Sequence, residues 1–347
     1  EVTIIPEGNI NEIEIAIGDS QSTAQTKAIK QAIEEIKSEK PKVQSEEEKQ
    51  RDRLRGFSRT IPMFLMAYGK NTTTLANFDE FVNAQVFEEL AGITRDQFRV
   101  LRDDCQFFNE SRFNAAIKEF LEHKKALRHY YKDDSTDDIF DLIPPQDTNQ
   151  IFTPKRVVNM QLDALEETNP LIFKNPHNTF FDPQMKSGQY ITEIMKRLYK
   201  YSKDKDIERI ITTQVYGLAP TKILTDITHE YIFGFAELKD KKKYQRNFVE
   251  QNLLSEDVHG KVIIKQDDGL QNVIQELWGD MKFDAVVGNP PYQEEAKGGS
   301  SSDDPVYHHF MEASYALSDK VCLITPARFL FSAGKTPKKW NSKMLND

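Results

Sequence analysis

From about residue 150 onward, short apolar segments alternate with longer amphipathic segments, and this alternation constrains the fold more than any other feature. Parallel strands need long crossover connections, usually helical, so the alternation favours a mostly parallel sheet covered by helices on both faces. The sequence therefore predicts an α/β domain over residues 146–347. The spacing predicts strands near 178–182, 213–217, 261–265, 283–288 and 320–325, and helices near 154–167, 187–201, 220–232, 268–279 and 305–317.

The first 145 residues have a different, mainly helical pattern. The clearest helix is predicted over 109–131, where Asn109 can cap the amino terminus and apolar side chains recur on one face. Breaker-rich segments at 132–138 and at Pro144 and Pro145 follow it. We therefore predict a mainly helical coupling or linker region over 1–145. Further helices are predicted at 22–38, 46–67, 79–91 and 94–103, and a strand at 10–17.

Composition and charge narrow the class of protein. The 347 residues include 46 Lys and Arg against 55 Asp and Glu, which gives a net charge of −9, and 38% are hydrophobic. Such a chain can build a core, and its acidic balance disfavours coating nucleic acid through bulk charge without excluding a local groove. No apolar run approaches the ~18–20 residues of a membrane span, and no signal-peptide pattern opens the chain. We expect a cytoplasmic protein with no membrane partner.

The sequence contains no strong metal-binding pattern. Cys105 and Cys322 are too few for a disulfide framework or a multi-cysteine zinc site. His308 and His309 are adjacent, and adjacent residues face different sides of a helix, so they are not expected to share a metal ion. We therefore expect no metal.

The most informative segment is the apolar strand predicted at 283–288, which runs directly into Asn289-Pro290-Pro291-Tyr292. In open α/β sheets, ligands bind beyond the carboxyl ends of the strands. Two prolines remove two N–H donors, so backbone carbonyl oxygens and the Asn289 amide oxygen can accept hydrogen bonds from one amino group. Tyr292 offers a flat ring for stacking. We interpret these four residues as a catalytic motif, and the alternative is a structural proline-rich turn.

These four residues resemble the catalytic motif of gamma-class N6-adenine DNA methyltransferases, which use S-adenosylmethionine and occur in large fused restriction–modification enzymes. The resemblance covers about residues 150–335 and implies a Rossmann-like methyltransferase core. It implies that a target adenine is flipped out of duplex DNA, that Asn289 and the Pro290 carbonyl hold its amine, and that Tyr292 stacks on the base. The amine nitrogen then attacks the methyl group, without a covalent enzyme intermediate.

Upstream segments resemble, in the family's order, the motifs that bind S-adenosylmethionine. A Thr-Pro pair precedes a predicted helix, with Thr153 as its expected cap and Pro154 in its first turn. Asp267, with Asp268 as an equal candidate, resembles the residue that contacts the adenine amine of the cofactor. The resemblance assigns cofactor binding to Phe152, Thr153, Pro154, Asp182, Pro183, Ser187, Gly188, Gly217, Leu218 and Asp267.

The sequence departs from the family pattern at two cofactor positions. The segment 181–190 resembles the family's cofactor-binding loop, and Lys186 stands where the first glycine of that loop is expected. The lysine replaces a residue that tolerates positive φ and close backbone approach. The strand end Gly217-Leu218-Ala219 lacks the carboxylate that would bind the ribose hydroxyls. Either cofactor affinity is reduced, or a carboxylate from elsewhere in the protein substitutes.

The leading hypothesis is methyl transfer to N6 of adenine in double-stranded DNA, as the modification part of a restriction–modification system. Residues 51–62 resemble segments that join a helicase-type motor to the methyltransferase, so helicase, nuclease and target-recognition domains are expected elsewhere in the full-length chain. The chain ends in a polar stretch, 338–347, and the isolated chain is expected to methylate poorly. One alternative is a non-catalytic methyltransferase-fold module that binds DNA or a partner. Another is a methyltransferase for RNA or protein glutamine.

Overall fold

The computed structural model describes residues 46–127, 130–132, 138–144, 152–234, 241–256, 262–264, 269–293, 305–327, 330 and 336–346. The strand predicted at 10–17 and the helix predicted at 22–38 lie outside these residues. The chain divides into two compact units, Glu1–Asp52 and Arg53–Asp347, and the contacts described below lie within the second. Within the described ranges, no helix is both long enough and apolar enough to cross a membrane. The domain boundary predicted at residue 146 stays a prediction.

The amino-terminal part of the described chain is helical and has an aromatic core. The Phe57 ring lies 5.4 Å from that of Phe98 and 6.0 Å from that of Phe87, between centroids. The Tyr130 hydroxyl donates a hydrogen bond to the Ile232 carbonyl oxygen at 2.9 Å, which ties this region to the following α/β part. The helices are α1 (Glu46–Tyr68), α2 (Phe78–Phe81), α3 (Ala84–Ala91), α4 (Arg95–Arg99) and α5 (Glu110–Ala126).

Two helices predicted as continuous are shorter in the structure. The helix predicted at 79–91 breaks at Val82, whose backbone is extended, and the Asn83 side chain then caps α3 by accepting from two backbone N–H groups. The helix predicted at 109–131 ends at Ala126, where the Leu127 N–H bonds back to the Lys124 carbonyl in a tightened turn. Local capping therefore overrides the longer apolar periodicity at both places.

The α/β part contains a five-stranded parallel sheet with strand order β3-β2-β1-β6-β7. The prediction of a mostly parallel sheet is confirmed. The strands are β1 (Phe180–Asp182), β2 (Val215–Ala219), β3 (Phe248–Glu250), β4 (Leu254–Glu256), β5 (Val262–Ile264), β6 (Ala285–Gly288) and β7 (Val321–Leu323). The helices are α6 (Lys155–Thr168), α7 (Gln189–Tyr201), α8 (Ile207–Thr213), α9 (Lys222–His229), α10 (Lys241–Gln245), α11 (Gly269–Trp278), α12 (Tyr307–Leu317) and α13 (Lys339–Asn346).

Helices cover both faces of the sheet, as predicted. Successive strand residues point to opposite faces, so Phe180 and Phe181 enter two separate apolar clusters. The first cluster includes Ile194 of α7, and the second includes Ile274 of α11 and Phe310 of α12. Strands buried on both faces read as continuous apolar runs, and this explains why most of them were visible in the sequence.

The strand predicted at 261–265 forms, but its predicted place in the alternation is wrong. It is β5, which pairs antiparallel with β4 in a separate two-stranded sheet. The third parallel strand is instead β3, which the sequence analysis missed. β3 has only three residues at the edge of the sheet, and they pass from buried Phe248 to exposed Glu250, so it lacks an apolar run.

Two polar segments also contain structure that was not predicted. In the first, α10 begins at Lys241 and is anchored by Tyr244, which packs, 1% exposed, in the core against Phe233. The polar stretch at 338–347 contains α13, whose Trp340 is 1% exposed and packs with Tyr307. In both segments one buried aromatic residue anchors a short polar helix.

Candidate functional site

The predicted catalytic motif lies at the carboxyl end of β6, next to the end of β1. A Cβ atom on Gly288 would lie 2.8 Å from the Asp182 Oδ1 atom, so only glycine lets the two strand ends approach this closely. Asn289 follows directly, and its Nδ2 donates a hydrogen bond to the Thr153 Oγ1 at 3.0 Å. The Asn289 Oδ1 is buried and has no hydrogen-bond partner among the described residues. A buried acceptor without a partner is costly, so this oxygen is poised to accept a hydrogen bond from a ligand.

The rest of the motif is firmly packed. Pro290 and Pro291 are both buried. The partly buried Tyr292 ring contacts a cluster that includes Trp340, and its carbonyl oxygen accepts from the Val306 N–H at 3.1 Å. Burial raises the pKa of the Tyr292 hydroxyl, and the neighbouring Asn289 amide opposes this rise. The ring is therefore held beside Asn289, with one part covered by α12 and α13.

A buried carboxylate ends the neighbouring strand. Asp182 is 2% exposed, and its Oδ1 accepts from the Gln184 N–H at 3.0 Å. Burial raises the pKa of Asp182 to about 7, although the Gln184 hydrogen bond and the charge of Lys186 oppose the rise. Burial also lowers the pKa of Lys186 to about 8, opposed by Asp182. The strand end thus places an acid and a base, both with shifted pKa values, beside Asn289.

The segment after Asp182 turns into α7 through a glycine that the geometry requires. Gly188 is the N-cap of α7 with φ +78°, and a Cβ there would lie 3.0 Å from a Thr228 methyl carbon. The preceding Ser187 Oγ accepts from the Gln189 N–H at 3.2 Å. At Lys186, where the family has glycine, φ is not positive, because the positive-φ residues other than glycine in the described chain are Gln106 and Lys205. The lysine is thus accommodated without backbone strain.

The prediction that Thr153 caps α6 is wrong. The N-cap of α6 is Pro154, which makes no side-chain cap bond, and Thr153 binds Asn289 instead. The Asp138 Oδ2 takes over the capping role, since it accepts from the Lys155 N–H at 2.8 Å. The same oxygen accepts from the Gln189 Nε2 at 2.8 Å, so Asp138 joins the amino-terminal ends of α6 and α7. Its carboxylate favourably faces the positive end of both helices.

The structure brings together five of the predicted site residues around one small cavity of about 10 Å³. These five are Thr153, Asp182, Ser187, Gly188 and Asn289, and the other lining residues are Gln184, Lys186, Gln189 and Tyr190. The remaining predicted residues in the described chain do not line it: Phe152, Pro154, Pro183, Gly217, Leu218, Pro290, Pro291 and Tyr292. Asp267 and Asp268 lie outside the described residues.

Packing explains why Phe152 and Gly217 do not line the cavity. The partly buried Phe152 ring packs at a tilt against the core, with its centroid 5.0 Å from that of Phe140. Gly217 is covered by Met185, whose Sδ would lie 2.6 Å from a Cβ at that position. The Met185 N–H donates to the Leu218 carbonyl oxygen at 2.8 Å, so the segment after β1 folds across the end of β2.

Two polar residues near this edge of the sheet, Gln189 and Asn252, were not predicted from the sequence. Gln189 lines the cavity, and its Oε1 is buried without a partner among the described residues. Asn252 comes just after β3, at the carboxyl end of the third parallel strand. The signal that could have found Asn252 is β3 itself, which was too short to recognise.

The polar groups around the cavity suit the cofactor that the resemblance implies, but the cavity volume does not. Two buried acceptors without partners, on Asn289 and Gln189, and a tight glycine at the helix start suit a polar ligand. A cavity of about 10 Å³ holds about one water molecule. S-adenosylmethionine therefore needs more space than the described residues leave in this cavity. Within the described residues, no group of three or more His, Cys, Asp and Glu side chains could hold a metal ion.

The chain is similar to proteins of restriction–modification systems and to an adenine-specific methylase. Residues 213–347 match the family described as Eco57I restriction-modification methylase. An "Uncharacterized adenine-specific methylase" from Mycoplasma pneumoniae (strain ATCC 29342 / M129 / Subtype 1) is 22% identical over 259 residues, covering 56% of this chain and 59% of that protein. The chain thus spans less than two thirds of that relative.

Two solved structures resemble the chain at low sequence identity. The methyltransferase subunit of a type I restriction-modification system from Streptococcus thermophilus is 14% identical, with a TM-score of 0.41, covering 96% of this chain and 68% of that one. The ATP-dependent type ISP restriction-modification enzyme LlaBIII bound to DNA is 13% identical, with a TM-score of 0.41, covering 92% of this chain and 24% of that one.

Proposed function

We propose that the α/β part of this chain is the catalytic part of an S-adenosylmethionine-dependent methyltransferase that modifies N6 of adenine in DNA. The observation that carries the proposal is the buried Asn289 Oδ1, which has no partner among the described residues, in an Asn-Pro-Pro-Tyr motif at the carboxyl end of a parallel strand. The family match over residues 213–347 includes this motif and supports a modification enzyme of a restriction–modification system.

The two polar atoms of the Asn289 amide have different roles in this proposal. Its Nδ2 is engaged by Thr153, so the orientation of the amide is fixed with Oδ1 free to accept. The target amine would donate one hydrogen to this Oδ1 and the other to the Pro290 carbonyl oxygen, which leaves the nitrogen lone pair available. To reach this site the adenine must leave the duplex stack, at a cost of a few kcal/mol, which contacts with Tyr292 would offset. Positioning supplies most of the catalysis in this mechanism.

Bound S-adenosylmethionine would supply an electrophilic methyl group, whose bond to sulfur would break as the bond to N6 forms. S-adenosylhomocysteine would then be the leaving group, and N6 would lose one proton to solvent. Asp182, Ser187 and Gly188 line the cavity beside Asn289 and would face the cofactor. The segment that carries Lys186 must move to admit it, because the present cavity holds about one water molecule. Double-stranded DNA with a flipped adenine is the proposed substrate, and target recognition, helicase and nuclease functions are assigned to other parts of a full-length protein.

The experiment is detection of N6-methyladenine by mass spectrometry in hydrolysed duplex DNA after incubation with the chain and S-adenosylmethionine. Parallel samples replace the duplex by RNA or by a glutamine-bearing protein substrate. We expect a measurable signal in the duplex DNA sample and none in the RNA or glutamine samples. Methylation of RNA or glutamine without methylation of DNA would refute the proposal.

A second candidate function is a non-catalytic module, favoured by the closed cavity and by Lys186. Calorimetric titration with S-adenosylmethionine distinguishes the two. Binding at submillimolar cofactor supports the enzyme, whereas no binding at millimolar cofactor by a folded sample supports the module.

A further inference from the structure

A second, much larger concavity lies away from the candidate site. It is a groove of about 940 Å³ between α6, α7 and the turn at Tyr130–Lys132. Of the lining residues that the structure describes, seven are Lys or Arg and three are Asp or Glu. The groove is therefore locally basic, although the whole chain carries a net charge of −9.

The three acids of the groove already have partners in its walls. The Glu193 carboxylate lies 3.5 Å from the Lys196 ammonium, and Asp163 pairs with Arg197. Glu166 accepts a hydrogen bond from a tyrosine hydroxyl at 2.6 Å. Negative charge in the groove is thus largely neutralised by neighbouring groups.

Three exposed cations of the groove remain for a ligand, since a fourth, Lys205, donates to the Tyr199 and Lys200 carbonyl oxygens. Lys132, Arg156 and Lys200 line the groove, and none has a carboxylate partner in the part of the chain that the structure describes. Arg156 lies in the first turn of α6, just after Thr153, which contacts Asn289. Lys200 lies in the last turn of α7. α7 has 13 residues and therefore extends about 20 Å. One strand of DNA presents about six phosphates over this distance.

The aromatic residues of the groove are not arranged for stacking on bases. The Lys205 ammonium lies over the Tyr199 ring at 5.2 Å from its centroid. Two ammonium groups, of Lys174 and Lys200, lie 5.1 and 5.9 Å from the Tyr201 ring centroid. Because cations cover these ring faces, the groove suits an anionic backbone rather than unpaired bases.

We propose that this groove binds the sugar-phosphate backbone of duplex DNA beside the candidate catalytic site. The anionic ligand follows from the charges of the groove, and the choice of duplex DNA rests on the proposed function. Contacts of this kind carry no sequence information and fix the position of the protein on the duplex.

The test measures binding of a fluorescent duplex of arbitrary sequence by anisotropy, over a salt series from about 50 to about 200 mM. One variant removes the three available cations (Lys132→Gln, Arg156→Gln, Lys200→Gln). The matched control removes three exposed lysines that do not line the groove (Lys125→Gln, Lys282→Gln, Lys338→Gln). The measured quantity is the slope of the logarithm of the binding constant against the logarithm of the salt concentration. We expect this slope to fall by about three in the groove variant, about one for each lost phosphate contact, and by much less in the control. Equal thermal unfolding temperatures establish that both variants fold.

Equal salt slopes and affinities for the two variants would overturn the proposal, and so would absence of DNA binding by the parent chain. A groove variant that keeps DNA binding but loses binding to polyglutamate would also overturn it, in favour of an acidic protein partner. The outcome is separable from methyl transfer. A slope change without any N6-methyladenine refutes the proposed enzyme and leaves the groove as a DNA site.

Discussion

The segments that follow β1 and β6 lie side by side at one edge of the sheet, yet they differ in how closely they match the methyltransferase motifs that they resemble. The segment after β6 keeps the full Asn-Pro-Pro-Tyr motif, and its Asn289 Oδ1 is buried and available to a ligand. The segment after β1 carries Lys186 in place of a glycine and folds inward, leaving a cavity of about 10 Å³. The proposed substrate side of the site is therefore preformed, whereas the described residues nearly fill the proposed cofactor side.

This difference separates two requirements of a methyltransferase. A substrate amine needs fixed acceptors, which rigid strand ends and prolines provide. A cofactor needs space and close backbone approach, which side chains such as Lys186 and Met185 now occupy. The predictions below test whether the two segments are as independent as this comparison suggests.

The largest expected effect is loss of methyl transfer in Asn289→Ala. Removing the fixed acceptor should lower the initial rate at least about 100-fold, the typical cost of deleting one preorganised hydrogen-bonding group at a reacting centre. The rate is measured as N6-methyladenine formed in duplex DNA. Cofactor binding should change little, because the segment after β1 remains intact.

The control for this variant is Gln293→Ala, an exposed position just beyond the motif. It should retain the parental rate. If Asn289→Ala retains it as well, the preformed side of the site is not catalytic.

The second prediction concerns pH and the buried Asp182. Burial raises its pKa from 3.8 to about 7, so the folded state favours the protonated acid. This stabilisation is fully present below about pH 4 and is lost as pH rises through 7. Asp182→Asn cannot ionise and keeps the acceptor for the Gln184 N–H. Its stability relative to the parent should therefore increase between pH 4 and 8, by at most about 4 kcal/mol at about 1.4 kcal/mol per pKa unit.

Urea unfolding at several pH values measures this difference. Titrating groups other than Lys186, whose pKa the Asp182 charge raises, are common to both proteins and largely cancel. A difference that stays constant over the whole range would show that the Asp182 carboxyl is not buried at this strand end.

The third prediction concerns the contact that joins the two segments. In Gly288→Ala the new Cβ would lie 2.8 Å from the Asp182 Oδ1, which its hydrogen bond to Gln184 holds in place. Overpacking of this kind should lower the free energy of unfolding by about 1–3 kcal/mol. The matched control is Gly56→Ala in α1, where no atom lies within 4 Å of the new Cβ, and where a gain of roughly 0.5–1 kcal/mol is expected. Equal effects of the two substitutions would refute the close approach.

The sequence predicted those parts of the site that depend on local, buried patterns. β1 and β6 are flanked by helices on both faces, so their apolar runs were visible, and the motif after β6 was placed at the correct edge of the sheet. β3 was missed because three residues at a sheet edge carry no such run. The predicted cap of α6 was wrong because Asp138, which is distant in sequence, takes the capping role that was assigned to Thr153. The closure of the cavity by the segment around Lys186 depends on tertiary packing, which no local pattern reveals.

The smallest expected effect belongs to Lys186→Gly, which tests the closed side of the site directly. Removing the side chain frees space at the cavity and restores a residue that tolerates close backbone approach. Cofactor affinity in calorimetry should rise about fivefold, or about 1 kcal/mol, with Lys186→Met as the control that removes the charge and keeps the bulk. A gain in the glycine variant alone attributes closure to bulk, and an equal gain in both attributes it to the ammonium charge beside a sulfonium ligand. If neither variant gains affinity, Lys186 does not limit cofactor binding, and the missing carboxylate at the Leu218–Ala219 strand end becomes the stronger explanation for a weakened site.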